Sequence, residues 1–168
     1  MKTNIALIGF MGTGKTAVGR LLAEKLRRRF IELDSVIEKK AGKSIPEIFV
    51  ADGEIAFREL EIKATKEAAR TKRTVIACGG GIVLDKENIR IMKETGTIIC
   101  LSASTEVILK RTLGFIHRPL LNVKRPDEKI EILLKFRAPF YAQADYTIDT
   151  SNLSIEDVVK KIIKILKR

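Results

Sequence analysis

Short apolar segments alternate with longer segments of mixed polarity along the whole chain. Five of the apolar segments contain no proline and are typical of β-strands. They span residues 5–8, 30–33, 75–78, 98–101 and 146–148. Because these segments are apolar throughout rather than at every second position, both faces of the predicted sheet should be covered. The pattern predicts an α/β fold of three layers, with a five-stranded parallel sheet flanked by helices.

The mixed segments show helical periodicity. They predict helices at residues 15–29, 35–41, 45–51, 53–71, 86–95, 105–113, 127–144 and 155–166. Apolar side chains of the last segment recur on one face, which favours packing against the sheet over binding to a membrane surface.

Two parts of the chain interrupt the alternation of strands and helices. Residues 44–71 form a helical insertion between the second and third predicted strands, and residues 113–125 contain glycine, proline and arginine without a helical period. The second pattern is typical of a mobile lid. We therefore expect residues 1–168 to form a single domain, with 35–71 as a helical substrate-binding region and 113–125 as a lid.

The chain is strongly basic, with 32 lysines and arginines against 21 aspartates and glutamates and a formal net charge of +11. Such an excess is compatible with nucleic-acid or membrane binding. The basic residues are, however, scattered over predicted helices, mixed with acidic residues and not interleaved with aromatic ones. This arrangement favours solvated helix faces, so we expect no nucleic-acid partner.

Cys78 and Cys100 each end an apolar run, where a thiol typically behaves as a small buried apolar group. Neither has the spacing of a disulfide framework or of a metal site. The sequence starts without a signal-peptide pattern, and no apolar run approaches membrane-spanning length. These features predict a cytoplasmic protein with no membrane partner.

A glycine-rich segment links the first predicted strand to the first predicted helix. Gly9, Gly14, Lys15 and Thr16 match the spacing G-x-x-x-x-G-K-[ST] of phosphate-binding loops. In this context backbone N–H groups and the helix dipole converge on phosphate oxygens. Lys15 should reach the β- and γ-phosphates and the Thr16 hydroxyl should coordinate Mg²⁺, so a nucleoside triphosphate is the expected ligand. A dinucleotide site is disfavoured, because it needs neither this lysine nor this threonine.

Two arginines, Arg58 and Arg137, lie on apolar stripes of predicted helices. A buried guanidinium needs a partner, because an unpaired buried charge is costly. For Arg58 taken alone, an ion pair with Glu54 or Glu61 one turn away explains the pattern as well as a ligand does. The glycine cluster at residues 79–81 follows an apolar strand, and together with both arginines it favours a site for a carboxylate-bearing ligand.

Asp34 follows the second predicted strand, at the carboxyl edge where open α/β sheets bind ligands. It would equally serve as the N-cap of the predicted helix 35–41. Capping does not exclude a ligand contact, so both roles stay open at this point.

Six segments, taken in order, resemble the motif set of the shikimate kinase family. They are GFMGTGKT, ELDSVIE, GKSIPEIFVADGEIAFRELE, CGGGIVL, RPLL and RAPFYAQAD, and they span nearly the whole chain. The resemblance implies a P-loop fold and an enzyme that transfers the γ-phosphoryl of MgATP to the 3-hydroxyl of shikimate. ATP and Mg²⁺ are the implied cofactors and shikimate the small-molecule partner, and we expect a monomer.

The resemblance also implies roles around the phosphoryl acceptor. Asp34 would orient the attacking hydroxyl and take its proton, and Arg58 with Arg137 would bind the carboxylate. The acceptor-binding residues implied in this way are Asp34, Arg58, Gly79, Gly80, Gly81 and Arg137.

On the nucleotide side, Arg118 in the predicted lid would swing over the phosphates and neutralise charge that develops during transfer. Arg111 matches the family position that packs on adenine, and residues 150–153 would border the base. Lys15, Asp34 and Arg118 are thus the expected catalytic residues. The expected nucleotide-binding residues are Gly12, Thr13, Gly14, Lys15, Thr16, Ala17, Arg111 and Arg118.

Glu32 departs from the family pattern, which usually has an aspartate at this position. Its link to Mg²⁺, through water, is expected beside the direct ligand Thr16. His117 is the only histidine and is interpreted as an exposed lid residue, since Asp34 already fills the role of base.

Three rival functions share part of this pattern. Gluconate kinases and nucleoside monophosphate kinases would keep Lys15 and Thr16 but would not need Arg58, the glycines at 79–81 and Arg137 together. A nucleotide-switched nucleic-acid-binding module would instead use the net charge of +11.

Overall fold

The computed structural model describes residues 2–113 and 121–167. Its five β-strands are β1 (Asn4–Ile8), β2 (Arg29–Glu32), β3 (Thr74–Ala77), β4 (Gly96–Ser102) and β5 (Tyr146–Asp149). The α-helices of the described ranges are α1 (Lys15–Leu26), α2 (Leu33–Ala41), α3 (Ile45–Ala51), α4 (Gly53–Ala69), α5 (Lys86–Thr95), α6 (Thr105–Thr112), α7 (Pro126–Tyr141) and α8 (Ile155–Leu166). The predicted order of elements is confirmed.

The five strands form one sheet in the order β2-β3-β1-β4-β5, and every neighbouring pair is parallel. The central strand β1 pairs on one side with β3, where Ile5 faces Val75, and on the other with β4, where Leu7 faces Ile99. The central strands β1, β3 and β4 are buried on both faces, which is why they carry apolar residues at consecutive positions. The edge strands β2 and β5 are more exposed than the sequence pattern predicted. The predicted fold class is confirmed.

Successive residues of β1 enter two separate hydrophobic cores. Ile5 and Leu7 pack with residues of α1 and α8, whereas Ala6 and Ile8 pack on the opposite face with residues of the remaining helices. In α8, Val158, Val159 and Ile162 are buried in the first of these cores, with Ile163 and Leu166 packed against it. The prediction that this helix packs on the sheet is confirmed.

Several predicted boundaries differ from the observed ones by one to three residues, including those on both sides of β2. Helix α1 ends at Leu26 rather than at residue 29, because Arg27 adopts a left-handed conformation with φ of 51°. Strand β2 ends at Glu32, and Leu33, assigned to the strand from its apolar side chain, is the first residue of α2. A single apolar residue between a strand and a helix fits either element, since the strand pattern and the helix pattern would both bury its side chain.

Helices α2, α3 and α4 follow one another between β2 and β3 and occupy most of the region 35–71. Ser44 caps α3 through a capping box with Glu47: its hydroxyl accepts from the Glu47 N–H, and the Glu47 carboxylate accepts from the Ser44 N–H. This local signal explains why the start of α3 was predicted correctly. The insertion brings Asp34 of α2 and Arg58 of α4 next to the loop that follows β3.

Candidate functional site

Residues 9–16, which lead from β1 into the first turn of α1, form the predicted phosphate loop. Gly9, Gly12 and Gly14 have φ of 143°, 78° and 100°, a region that residues with a side chain rarely adopt. Gly9 also packs tightly on β4, because a Cβ built there would lie 2.2 Å from the carbonyl oxygen of Leu101. The backbone conformation of this loop therefore requires the glycines that the motif predicted.

The side chain of Lys15 lies along this loop. Its Nζ donates to the carbonyl oxygens of Gly9 at 2.7 Å and Phe10 at 2.8 Å. The Phe10 carbonyl also accepts from the hydroxyl of the buried Thr13, at 2.8 Å. The ammonium is thus at the start of α1, beside the positive end of the helix dipole, where an anion is favoured. Ala17 lies exposed in the first turn of the same helix.

Thr16 and Glu32, the two residues predicted to serve a metal, are in direct contact. The Thr16 hydroxyl donates to Glu32 Oε1 at 2.6 Å, and the second carboxylate oxygen of Glu32 accepts from Ser35 at 3.0 Å. Hydroxyl and carboxylate oxygens are the hard donors that Mg²⁺ prefers, so the pair fits this ion. Within residues 2–113 and 121–167 there is no group of three or more His, Cys, Asp or Glu side chains able to hold a metal. The pair of Thr16 and Glu32 would therefore suit an ion whose remaining ligands are water and phosphate oxygens.

Arg111 is held against the phosphate loop by Thr150. The guanidinium donates to the Gly12 carbonyl at 3.1 Å, to the Thr150 hydroxyl at 3.1 Å and to the Thr150 carbonyl at 3.0 Å. The Thr150 hydroxyl contacts the carbonyl oxygens of Thr13 at 2.9 Å and Ser102 at 3.1 Å. Thr150 therefore joins the end of β5 to the loop. The sequence indicated segment 150–153 but not this residue.

The glycines at 79–81 bring side chains from α2 and α4 together. A Cβ built on Gly79 would lie 2.7 Å from Asp34 Oδ1, and one built on Gly81 would lie 2.7 Å from both terminal nitrogens of Arg58. Only a residue without a side chain allows these approaches. We refer to Asp34, Arg58, Arg137 and residues 79–81 as the acceptor site.

Asp34 is the second residue of α2, and Glu32 is the N-cap residue of that helix. The interpretation of Asp34 as an N-cap is therefore wrong, because the helix begins two residues earlier than predicted. A carboxylate in a first helical turn is still stabilised by the helix dipole. Its position next to Gly79 fits the ligand role.

Arg58 forms ion pairs with both glutamates that the sequence had offered as alternatives. Its Nη1 lies 2.8 Å from Glu61 Oε1, and its Nη2 lies 3.4 Å from Glu54 Oε1. The expected burial of its apolar stripe is wrong: Ile55 is 80% exposed, and it lines an open cleft that borders Arg58 and Ile62. The buried face of α4 lies elsewhere, so Arg58 keeps one side towards solvent.

Glu61 is a buried carboxylate that sequence reasoning named only as an alternative partner of Arg58. It is 1% exposed. Burial raises its pKa to about 7, the charge and hydrogen bond of Arg58 oppose this rise, and the nearby charge of Asp34 adds to it. The i+3 spacing from Arg58 was the available signal, but it does not distinguish a buried partner from an exposed one.

Arg137 lies on the buried face of α7, as its stripe predicted. It is 5% exposed, its guanidinium lies 5.6 Å from the centre of the Phe10 ring, and its Nε has no hydrogen-bond partner. Within the part of the chain that the structure describes, it forms no ion pair. Such a guanidinium carries a large desolvation cost, which an anionic ligand would offset.

Some predictions concern residues outside the described ranges. Arg118, His117 and residues 114–120 of the predicted lid 113–125 lie there.

Cys78 and Cys100 are described, and both are free and buried, as predicted. Burial raises the pKa of the Cys100 thiol to about 11, so the thiol keeps its proton at neutral pH and is not a reactive thiolate. Among the described helices, none has the length and apolar character needed to cross a membrane.

A phosphate loop at the carboxyl edge of a parallel sheet defines the class of P-loop nucleotide-binding proteins, to which many phosphotransferases belong. The chain belongs to the shikimate kinase family: the family model described as "Shikimate kinase" matches residues 11–167. The shikimate kinase of Thermodesulfovibrio yellowstonii is 50% identical over 165 residues, which cover 98% of this chain and 95% of that protein.

Two solved structures share the fold. Shikimate kinase from Acinetobacter baumannii in complex with shikimate has a TM-score of 0.94 and 41% identity, covering 99% of this chain and 93% of that chain. The crystal structure of shikimate kinase from Aquifex aeolicus has a TM-score of 0.87 and 37% identity, covering 98% of this chain and 96% of that chain.

Proposed function

We propose that this chain transfers the γ-phosphoryl group of MgATP to the 3-hydroxyl of shikimate, giving ADP and shikimate 3-phosphate. The observation that carries the proposal is the buried guanidinium of Arg137, which forms no ion pair with the described residues and lies beside Gly80. A carboxylate-bearing acceptor would supply a counter-charge in direct hydrogen-bonding contact. Family membership supports the same substrate and cofactors.

In the proposed reaction, the phosphate loop and Lys15 bind the nucleotide phosphates and stabilise negative charge that develops during transfer. The oxygen of the shikimate 3-hydroxyl attacks the γ-phosphorus, and Asp34 accepts the proton of that hydroxyl. The bond between the γ-phosphorus and the oxygen that bridges it to ADP breaks. Thr16, with Glu32 behind it, would hold Mg²⁺, which supplies positive charge next to the phosphates when bound. Arg118 is proposed to complete this positive surrounding.

Arg58 and Arg137 are proposed to bind the acceptor's carboxylate from two helices. Glu61 holds Arg58 at 2.8 Å and so limits the directions in which this guanidinium can donate. Two forked donors at one site would favour an anionic acceptor, such as one that carries a carboxylate, over a neutral one. Arg111 is proposed to lie along the adenine.

We further propose that the chain works as a cytoplasmic monomer without a nucleic-acid partner. Several of its exposed lysines and arginines form ion pairs with nearby acidic residues, as in the pairs of Lys43 with Asp52 and Arg90 with Glu94. This pairing supports solvated helix faces rather than a continuous polyanion-binding surface. Size-exclusion chromatography with light scattering would test the monomer.

The deciding experiment measures ADP release with MgATP and one acceptor at a time: shikimate, gluconate or AMP. We expect release with shikimate alone. A Lys15→Met variant should fold and yet release ADP at least about a hundredfold more slowly, because it lacks a charge that stabilises the transition state. Turnover that prefers gluconate or AMP would contradict the proposed acceptor.

A further inference from the structure

Tyr141 occupies a position beside the acceptor site to which the proposed reaction gives no role. It follows Arg137 by one turn on α7, so the two side chains project from the same face of the helix. Its hydroxyl donates to the carbonyl oxygen of Gly80 at 2.7 Å. Gly80 in turn lies against the arginine, since a Cβ built there would be 3.6 Å from Arg137 Nη1. The three residues therefore form one contact group.

The protonation state of the phenol determines what it can contribute. Burial raises the pKa of Tyr141 to about 12, although the positive charge of Arg137 and a hydrogen bond with it act in the opposite direction. The phenol consequently keeps its proton at neutral pH. A neutral phenol donates one hydrogen bond and also accepts. The donor is used on Gly80, so the phenol ties α7 to the residue that lies against the Arg137 guanidinium.

The other contacts of Arg137 do not fix its orientation. The face of the Phe10 ring, 5.6 Å from the guanidinium carbon, restricts the plane of the group but not its rotation within that plane. Its Nε makes no hydrogen bond. A directional contact at the edge of the guanidinium is needed to aim its remaining N–H groups at a ligand.

We propose that Tyr141 is a positioning residue of the acceptor site, whose hydroxyl fixes Gly80 and the guanidinium of Arg137 relative to each other. This inference rests on the proposed function, in which Arg137 binds the acceptor's carboxylate. Tyr141 itself touches no reacting atom. Its effect is to pre-organise the arginine, so that the acceptor does not have to order the side chain on binding.

Tyr141→Phe removes the hydroxyl and leaves the ring in the core. We expect the KM for shikimate to rise about tenfold, the loss produced by one buried hydrogen bond of this kind. The KM for ATP should change by less than about twofold, because the phosphate loop keeps its own contacts. The matched control is Tyr146→Phe on β5, a tyrosine that is 45% exposed, and it should leave both constants unchanged.

A double-mutant cycle with Arg137→Lys separates positioning from general packing. If Tyr141 acts through Arg137, adding Tyr141→Phe to the lysine variant should raise the KM for shikimate by less than about twofold. An unchanged KM in Tyr141→Phe, an equal rise for ATP and shikimate, or a tenfold rise in both backgrounds would each overturn the proposal. Failure of the proposed function would look different, because the native protein itself would then release no ADP with shikimate.

Discussion

Glu61 and Arg137 are buried charged residues at the acceptor site, and they differ in how their charge is compensated. Glu61 has Arg58 at 2.8 Å, whereas Arg137 has an aromatic face and a tyrosine hydroxyl nearby. Since an isolated buried charge is expensive, both positions cost stability in the free protein. At the residue scale, the proposed acceptor would offset part of this cost when its carboxylate binds Arg137.

The pH dependence of stability should report this cost at Glu61. Its folded-state pKa of about 7 lies above the ordinary value of 4.5. Between these values the folded protein retains a proton that the unfolded chain has released, so the free energy of unfolding must fall as pH rises through this window. The contribution present below pH 4.5 is then lost by pH 7, and amounts to about 3 kcal/mol.

The Glu61→Gln variant has no ionisable side chain at this position. The native protein should therefore lose stability relative to the variant between pH 4.5 and 7, as measured by urea unfolding without ligands. Glu59→Gln on the exposed side of α4 is the matched control. A native-to-variant difference that stays constant over this pH range would show that Glu61 is ionised throughout.

At the scale of elements, the loop after β3 decides how closely α2 and α4 approach the sheet edge. Gly79 contacts Asp34 of α2 and Gly81 contacts Arg58 of α4, whereas Gly80 faces the phosphate loop and α7. Three successive glycines thus serve three different neighbours. The loop connects the helical insertion to the nucleotide side of the site.

Alanine substitutions in this loop should have unequal effects. Gly79→Ala places a methyl group 2.7 Å from Asp34 Oδ1, so the carboxylate must move. We expect kcat/KM for shikimate to fall about a hundredfold, the cost of misplacing a reacting group by about 1 Å. Gly80→Ala meets its nearest atoms at 3.5 Å, an ordinary contact, and should be milder. Equal losses in the two variants would contradict this account.

At the scale of the whole molecule, the charge of +11 is distributed over many helices. Lys40 pairs with Glu67 between α2 and α4, and Lys66 of α4 lies 3.6 Å from Glu87 of α5. Exposed pairs of this kind contribute little to stability, but they break up the positive surface. The excess charge still raises the local concentration of anionic small molecules, including the proposed substrates.

This distribution predicts only weak, non-specific attraction to nucleic acids. Short duplex DNA immobilised on a column should retain the protein at low salt and release it by about 0.15 M salt, where exposed charges are largely screened. Shikimate-dependent ADP release should be unaffected by the same DNA. Retention at physiological salt that ATP modulates would instead support the nucleic-acid-binding alternative.

The features predicted correctly from the sequence depend on residues that are close in the chain. Apolar runs define the strands, the capping box at Ser44 defines the start of α3, and the spacing of Gly14 and Lys15 defines the phosphate loop. Each signal is contained within one element and its boundary, so it holds in any tertiary setting that buries the apolar faces.

The features that only the tertiary structure decided join residues that are far apart in the chain. Thr150 reaches Thr13 across 137 positions, and the Tyr141 hydroxyl reaches Gly80 across 61. The burial of Glu61, which sets its pKa, likewise depends on how α4 packs on its neighbours. No periodicity records such contacts, because they follow from the order of strands in the sheet and from the helices that this order brings to one edge.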